Sequence, residues 1–251
     1  MSEKVRALLK ISGETLSGQG LTESGFGISG ASLKSIVLEI QSAREILNLA
    51  LAIVIGGGNI MRGKNLKEDV FGEDTAVADE MGMLATIINC ICLKKVLKQH
   101  GVESRVMSAL ECNKVCEPYL REVALSHLEK GRVVILAGGM GRPNHSTDMA
   151  MVMLAKELEM TMVLKGTKVN GIYTEDPTTD DLTTSNPNAK FISKINHDDY
   201  LELDLKVVDF SAVAFAREKG IRINVFSFFK EDNFRRILSG EDIGSVIYPA
   251  E

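Results

Sequence analysis

The sequence predicts an α/β layered fold built around a buried, mainly parallel sheet. Short apolar runs alternate with longer amphipathic helical patterns from end to end, the signature of strand–helix layering. The apolar runs are rich in Val, Ile and Leu at every position, which suits strands covered on both faces. In chain order the strand candidates are Val5–Ile11, Leu51–Ile55, Glu103–Met107, Val133–Leu136, Met162–Leu164, Arg222–Phe226 and Ser245–Tyr248. The helix candidates are Ala31–Asn48, Thr75–His100, Pro118–Lys130, Asp148–Glu159, Ser211–Lys219 and Glu231–Ser239.

Two stretches break the alternation. Gly13 to Gly30 is glycine-rich, and Thr174 to Ala189 is rich in Asp, Thr, Pro and Asn, so both read as long loops. Loops of that length in a compact domain are usually functional or mobile. Asn170-Gly171, flanked by Val169 and Ile172-Tyr173, is a two-residue hairpin signal. No internal repeat and no linker divides the chain, so residues 1–251 are expected to form one domain.

With 251 residues, 45% hydrophobic and 25% charged, the chain can build a sizeable core. The formal charge of −5, with no run of Lys or Arg, argues against a nucleic-acid surface. Met1 to Arg6 is polar and is not a secretory signal, and the longest apolar stretch, Leu49 to Ile55, is far too short to span a bilayer. A cytoplasmic, membrane-free protein is expected. The cysteines, Cys90, Cys92, Cys112 and Cys116, match no common zinc spacing and read as buried reduced thiols. No protein-held metal is expected.

Three glycine-bearing turns follow strand candidates: Lys10-Ile11-Ser12-Gly13-Glu14, Ile55-Gly56-Gly57-Gly58-Asn59 with Arg62 close behind, and Gly138 to Pro143 running into Ser146-Thr147-Asp148. In a parallel sheet such turns gather at the carboxyl ends of strands, where ligands of open α/β sheets bind. Glycine lets backbone N–H groups approach phosphate oxygens, and helix N-termini add positive dipole ends. One such loop is equally well explained as a tight turn; three in one chain point to phosphate. There is no G-x-x-x-x-G-K-[ST], and no G-x-G-x-x-G directly follows the first strand, so neither a P-loop nor an ordinary dinucleotide site is indicated. Lys10 ends an apolar strand, where a charge either snorkels to water or faces a partner such as a phosphoryl group in transfer. Asp148 reads as the N-cap of its helix as well as a carboxylate beside the third loop, and Asp209 mainly as a cap.

These segments resemble the bacterial-type uridylate kinases of the amino acid kinase superfamily. The resemblance rests on KISGE (Lys10–Glu14), SGFGI (Ser24–Ile28), VIGGGNIMRG (Val54–Gly63), DEMGMLATIIN (Asp79–Asn89), GRPNHSTD (Gly141–Asp148) and LKGTKVNGIYTEDP (Leu164–Pro177). KISGE and GGGN are shared across the superfamily; the Asp79–Asn89 block and LKGTKVNGIYTEDP are more specific. The resemblance implies a three-layer α/β/α sandwich and the reaction ATP + UMP → ADP + UDP, with Mg²⁺ carried on ATP. It also implies a homo-oligomer, a hexamer, inhibited by UTP and activated by GTP.

Carried over by position, Lys10, Ile11, Ser12 and Gly13 line the phosphate channel, and Lys10, Asp148 and Lys165 are the catalytic charges. Gly58, Arg62, Thr167, Tyr173 and Asp176 hold the adenine nucleotide. Gly57, Asp79, Met140, Gly141, Arg142, Pro143, Asn144, His145, Ser146 and Thr147 surround UMP, with Asp79 on its ribose hydroxyls. Two departures from the resemblance stand out. Asn144 and His145 occupy places often held by aromatic residues, and the stretch from Gly18 to Ser24 is longer than usual, so GTP activation is expected to be weak or absent.

Two other readings remain open on the sequence: a same-fold kinase with a carboxylate or carbamate acceptor, and a non-catalytic nucleotide-binding sensor. Asp79 would repel an anionic carboxylate acceptor but welcome ribose hydroxyls. Lys10 and Asp148 are charges a non-catalytic sensor could lose.

Overall fold

The central strand is β1, Val5–Ile11, whose residues from Ala7 onward are buried. In the computed structural model, which describes residues 4–18, 26–61, 75–177 and 186–250, β1 pairs in parallel with β2 (Leu49–Ile55) on one side and β6 (Met162–Thr167) on the other. Further strands extend this sheet: β3 (Ser104–Ser108), β4 (Glu117–Pro118), β5 (Val133–Ala137), β9 (Lys194–Asn196), β10 (Ile223–Ser227) and β11 (Ser245–Tyr248). Among the described residues the nine strands run in the order β4-β3-β5-β2-β1-β6-β10-β11-β9, and only the β10–β11 pair is antiparallel.

The alternation of side chains along β1 sorts the core into two layers. Ala7, Leu9 and Ile11 face one cluster, built from Ile36, Val37 and Ile40 of α2 (Gly30–Ile46), Ile87, Cys90, Leu93 and Leu97 of α3 (Thr75–Gln99), and Phe234 and Ile237 of α8 (Asn233–Leu238). Leu8 faces the other. That side holds Ala124 and Leu128 of α4 (Arg121–Glu129), Met151 and Leu154 of α5 (Thr147–Glu157), Tyr200 of α6 (His197–Glu202), and Val213 and Ala216 of α7 (Phe210–Lys219). The result is the expected three-layer α/β/α sandwich. The same alternation puts Lys10 on the α5 side with Leu8, and Lys165 there with Val163.

Three sequence expectations are corrected. Gly13–Leu16 forms a helical turn, α1, so the long loop does not begin at Gly13. The hairpin signal at Asn170-Gly171 is not used as one: β7 (Ile172–Tyr173) pairs antiparallel with β8 (Phe191–Ile192). The Ile172 N–H is taken by the Ser245 hydroxyl at 2.8 Å, and a side chain at Gly171 would collide with that serine. The glycine therefore serves a close approach to β11 and not a tight reversal. Third, the longest apolar segment by composition is not the strand at 49–55. Helix α3 has the length and hydropathy to cross a membrane, but Ile87, Cys90, Leu93 and Leu97 pack it onto the sheet as a core helix. Of the cysteines, Cys90 and Cys116 are buried, while Cys92 and Cys112 are half-buried.

Candidate active site

All strands from β1 to β6 that flank the centre run parallel, so their carboxyl ends share one rim. On that rim Lys10 and Lys165 are direct register partners on β1 and β6. Between them lies Asp148 of α5. Its Oδ1 forms an ion pair with Lys10 Nζ at 2.8 Å, and its Oδ2 accepts a hydrogen bond from Lys165 Nζ. All three are buried, at 6%, 3% and 8% exposure for Lys10, Asp148 and Lys165, so Lys10 does not snorkel to water. Burial alone would raise the Asp148 pKa, but Lys10 and Lys165 outweigh it and hold the carboxyl well below the usual carboxylate range. Burial and then Lys10 lower Lys165, and Asp148 offsets part of that, leaving it at about 8. The trio carries one excess positive charge. Asp148 is committed to the lysines and is not the helix cap: Ser146 is, its Oγ accepting from Met149 N–H at 3.1 Å. Asp209 stands at the N-cap of α7 without a side-chain cap bond; its own N–H reaches Asp148 Oδ2 at 3.3 Å.

On the β2–β5 side of the trio is a cleft of about 140 Å³. Of the residues expected around UMP, Gly57, Asp79, Arg142, His145 and Thr147 line it, drawn from the two glycine turns, α3 and the start of α5; Gly58, expected on the adenine nucleotide, lines this cleft as well. Residues the sequence reading missed line it too, namely Met61, Gly82, Met83 and Thr86. Positive φ at Gly138, Gly139 and Gly141 makes the third turn. The Thr86 hydroxyl accepts the Gly138 N–H at 2.8 Å and ties this turn to α3. Asn144 also has positive φ, 63°, a conformation asparagine tolerates better than an aromatic residue, and its N–H donates to Asp79 Oδ2 at 2.8 Å. Met140 instead lines a smaller neighbouring cavity of about 50 Å³, and His145 Nδ1 lies 3.0 Å from the Pro143 carbonyl.

On the β6 side lies a second cleft of about 460 Å³, lined by Tyr173, Asp176, Val169 and residues 204–207. Thr167, at the end of β6, gives its hydroxyl to Val169 O at 2.7 Å, shaping the turn into this cleft. Arg62 lies outside the described residues.

The turns at the ends of β1 and β2 are locked together. Ser12 stands at the N-cap of α1 without a side-chain cap bond, its hydroxyl meeting that of Thr15 at 2.8 Å. A Cβ at Gly13 would lie within 2.6 Å of Gly58 N and of Asn59 Oδ1, so only glycine fits. Asn59 and Asn89 exchange side-chain hydrogen bonds at 3.0 and 2.7 Å, and Asn89 also donates to Gly56 O at 2.8 Å. This buried amide pair fastens the glycine turn to α3. No sequence pattern announces it, because its members lie 30 positions apart.

The amino acid kinase family profile matches residues 6–227. A curated uridylate kinase from Erythrobacter litoralis (strain HTCC2594) is 42% identical over 247 residues, covering 98% of this chain and 98% of its own. Among solved structures, a UMP kinase from Bacillus anthracis superposes with a TM-score of 0.88 at 34% identity, covering 100% of this chain and 98% of its own. A UMP kinase from Ureaplasma parvum gives 0.85 at 31% identity, covering 98% and 100%. A uridylate kinase from Archaeoglobus fulgidus, at 21% identity and a TM-score of 0.69, shares the fold. With the profile spanning most of its length and near full-length relatives this similar, the chain belongs to the amino acid kinase family.

Proposed function

We propose that this chain is a UMP kinase, transferring the γ-phosphoryl group of ATP to UMP. The observation that carries the reading is the placement of Lys10, Asp148 and Lys165 between two clefts on the carboxyl rim. Its near full-length relatives named uridylate or UMP kinase support it. UMP takes the β2–β5 cleft, with its ribose on Asp79, and ATP takes the β6 cleft, with its adenosine against Tyr173 and Asp176.

A phosphate oxygen of UMP attacks the γ-phosphorus, and the bond to the β–γ bridging oxygen breaks, giving UDP and ADP. The attacking oxygen is already ionised, so no general base is needed. This suits a site whose buried carboxylate is fully engaged by two cations. Such catalysis is positioning plus charge stabilisation. Lys10 and Lys165 supply fixed positive charge in a water-poor site, and the glycine turns supply backbone N–H donors. Mg²⁺ is carried into the site on the ATP phosphates, as part of the substrate.

The enzyme is cytoplasmic and self-associates, as a hexamer. Val77, Leu84, Ile88 and Ile91 form an exposed apolar stripe on the outer face of α3, which a second copy would cover. UTP inhibits by occupying the acceptor cleft. GTP activation is weak or absent, the lengthened stretch after Gly18 being the reason; residues 19–25 lie outside those described. Initial rates against UMP with each nucleotide, alongside light scattering, test both points.

The deciding experiment is ADP release across UMP, dUMP, CMP, dTMP, acetylglutamate and aspartate. UMP is expected to be the strongly preferred acceptor. A site that bonds a hydroxyl rejects the analogue lacking it, so equal turnover of UMP and dUMP would remove the role given to Asp79. Preference for a carboxylate would overturn the acceptor assignment altogether.

A further inference from the structure

The stretch from Leu203 to Asp209, between α6 and α7, is irregular backbone with a different neighbour on each side. Outward, Asp204 to Val207 line the 460 Å³ cleft opposite Tyr173 and Asp176. Inward, the Val207 carbonyl accepts a hydrogen bond from Lys165 Nζ, and the Asp209 N–H donates to Asp148 Oδ2 at 3.3 Å. Two of the three buried charges are therefore held from behind by the main chain of one loop.

That main chain has its own anchor. Tyr200 is 1% exposed in the core beneath α6, and its hydroxyl accepts the Val208 N–H at 2.7 Å and donates to the Val208 carbonyl at 2.9 Å. Burial first, with Asp148 and Asp209 adding to it, raises this phenol's pKa, so it stays protonated and able to do both.

The geometry of the peptide bond links these contacts. Each peptide unit is planar, with its C=O and N–H on opposite edges. The Val208 N–H belongs to the same plane as the Val207 carbonyl that holds Lys165. The Val208 carbonyl belongs to the same plane as the Asp209 N–H that reaches Asp148. One hydroxyl thus grips the far edges of two consecutive planes whose near edges hold Lys165 and Asp148. We propose that Tyr200 is a positioning residue for phosphoryl transfer, setting Lys165 and Asp148 through the 207–208 and 208–209 peptide planes.

The proposal rests on the phosphotransfer reading above. Tyr200→Phe keeps the ring in the core and removes only the hydroxyl. Freed planes misplace the charges, and displacements of this kind are expected to cost about 10- to 100-fold in kcat. The KM for UMP should stay within about two-fold, because the acceptor cleft lies on the other side of β1. Lys165 also faces Lys10 from β1, Asp148 from α5 and Asp209 at the start of α7, and none of these is changed. Losing the carbonyl that favours its charged form should move the alkaline limb of the kcat/KM profile to lower pH, a change that loss of stability alone does not produce.

A Tyr200→Phe enzyme with kcat within two-fold of the parent and an unmoved limb would overturn the proposal. An unsubstituted enzyme inactive on UMP would instead fail the phosphotransfer reading. Hydrogen exchange on the unsubstituted protein serves if the variant does not fold. The Val208 and Asp209 amides should exchange as slowly as those of β6, and exchange at open-loop rates would show that Tyr200 does not hold the planes.

Discussion

The two ends of β1 carry the same kinds of residue to opposite purposes. At the amino end, Lys4 and Arg6 pair with Glu129 at 2.9 and 2.7 Å, and Arg6 also covers the last carbonyls of the α5 region, Leu158 O and Glu159 O. Glu129 is more than half exposed, and hydrogen bonds from Lys4 and then Arg6 hold its carboxyl below the usual range. At the carboxyl end, Lys10 meets Asp148 in the interior. Exposed pairs of the first kind are screened by water and contribute little. Buried pairs lose hydration that their attraction scarcely returns, and apolar residues of like volume would often be as stable. Under the proposed function, such a trio serves the reaction rather than the fold.

The largest effect should come from Asp148→Asn, which leaves two buried ammonium groups facing each other. Breaking a buried pair in this way costs about 3–5 kcal/mol, so chemical denaturation should show a loss of that size together with near-complete loss of turnover. A variant as stable as the parent would erase the contrast between the two ends.

A second effect is read by pH. Lys165 is depressed to about 8, so its positive charge is present below that pH and lost as pH rises through it. The profile of kcat/KM for UMP, which reads the free enzyme, should hold through neutrality and fall on the alkaline side of about 8, well before an ordinary lysine would titrate. A rate flat to pH 10 would show that the Lys165 charge plays no part.

The smallest effect belongs to the amino end. Glu129→Ala should change unfolding stability by about 1 kcal/mol or less and leave kcat unaltered. A clear loss of activity there would mean that the two ends of β1 are coupled.

The layers and the long helices were legible because they rest on periodicity. Helix α3, read as Thr75–His100, ends within one residue of that expectation. Lys10 was legible because a charge closing an apolar strand needs a partner, but the partner was not. Asp148 follows Ser146-Thr147 in a stretch that looks like a cap, and only packing shows the serine capping while the carboxylate turns inward. Lys165 is the second residue of LKGTKVNG, where composition gives it no distinction; its meaning comes from register with Lys10 across β1 and β6. Asn89 and Tyr200 were invisible for the same reason. Their hydrogen bonds reach Gly56 and Val208, and such pairings are set by tertiary closeness rather than by spacing. The hairpin expectation at Asn170-Gly171 failed because Ser245, far along the chain, takes the amide that a hairpin would have used.

The central claim is that the buried charge at the carboxyl end of β1 acts in transfer. It is tested most directly by Lys10→Ala, with kcat measured alongside equilibrium binding of ATP and UMP. Losing one preorganised contact of this kind typically costs about 10²–10³ in kcat, and binding of each nucleotide should weaken far less. A Lys10→Ala enzyme that turns over within a few-fold of the parent, or whose whole deficit lies in nucleotide binding, would contradict the claim.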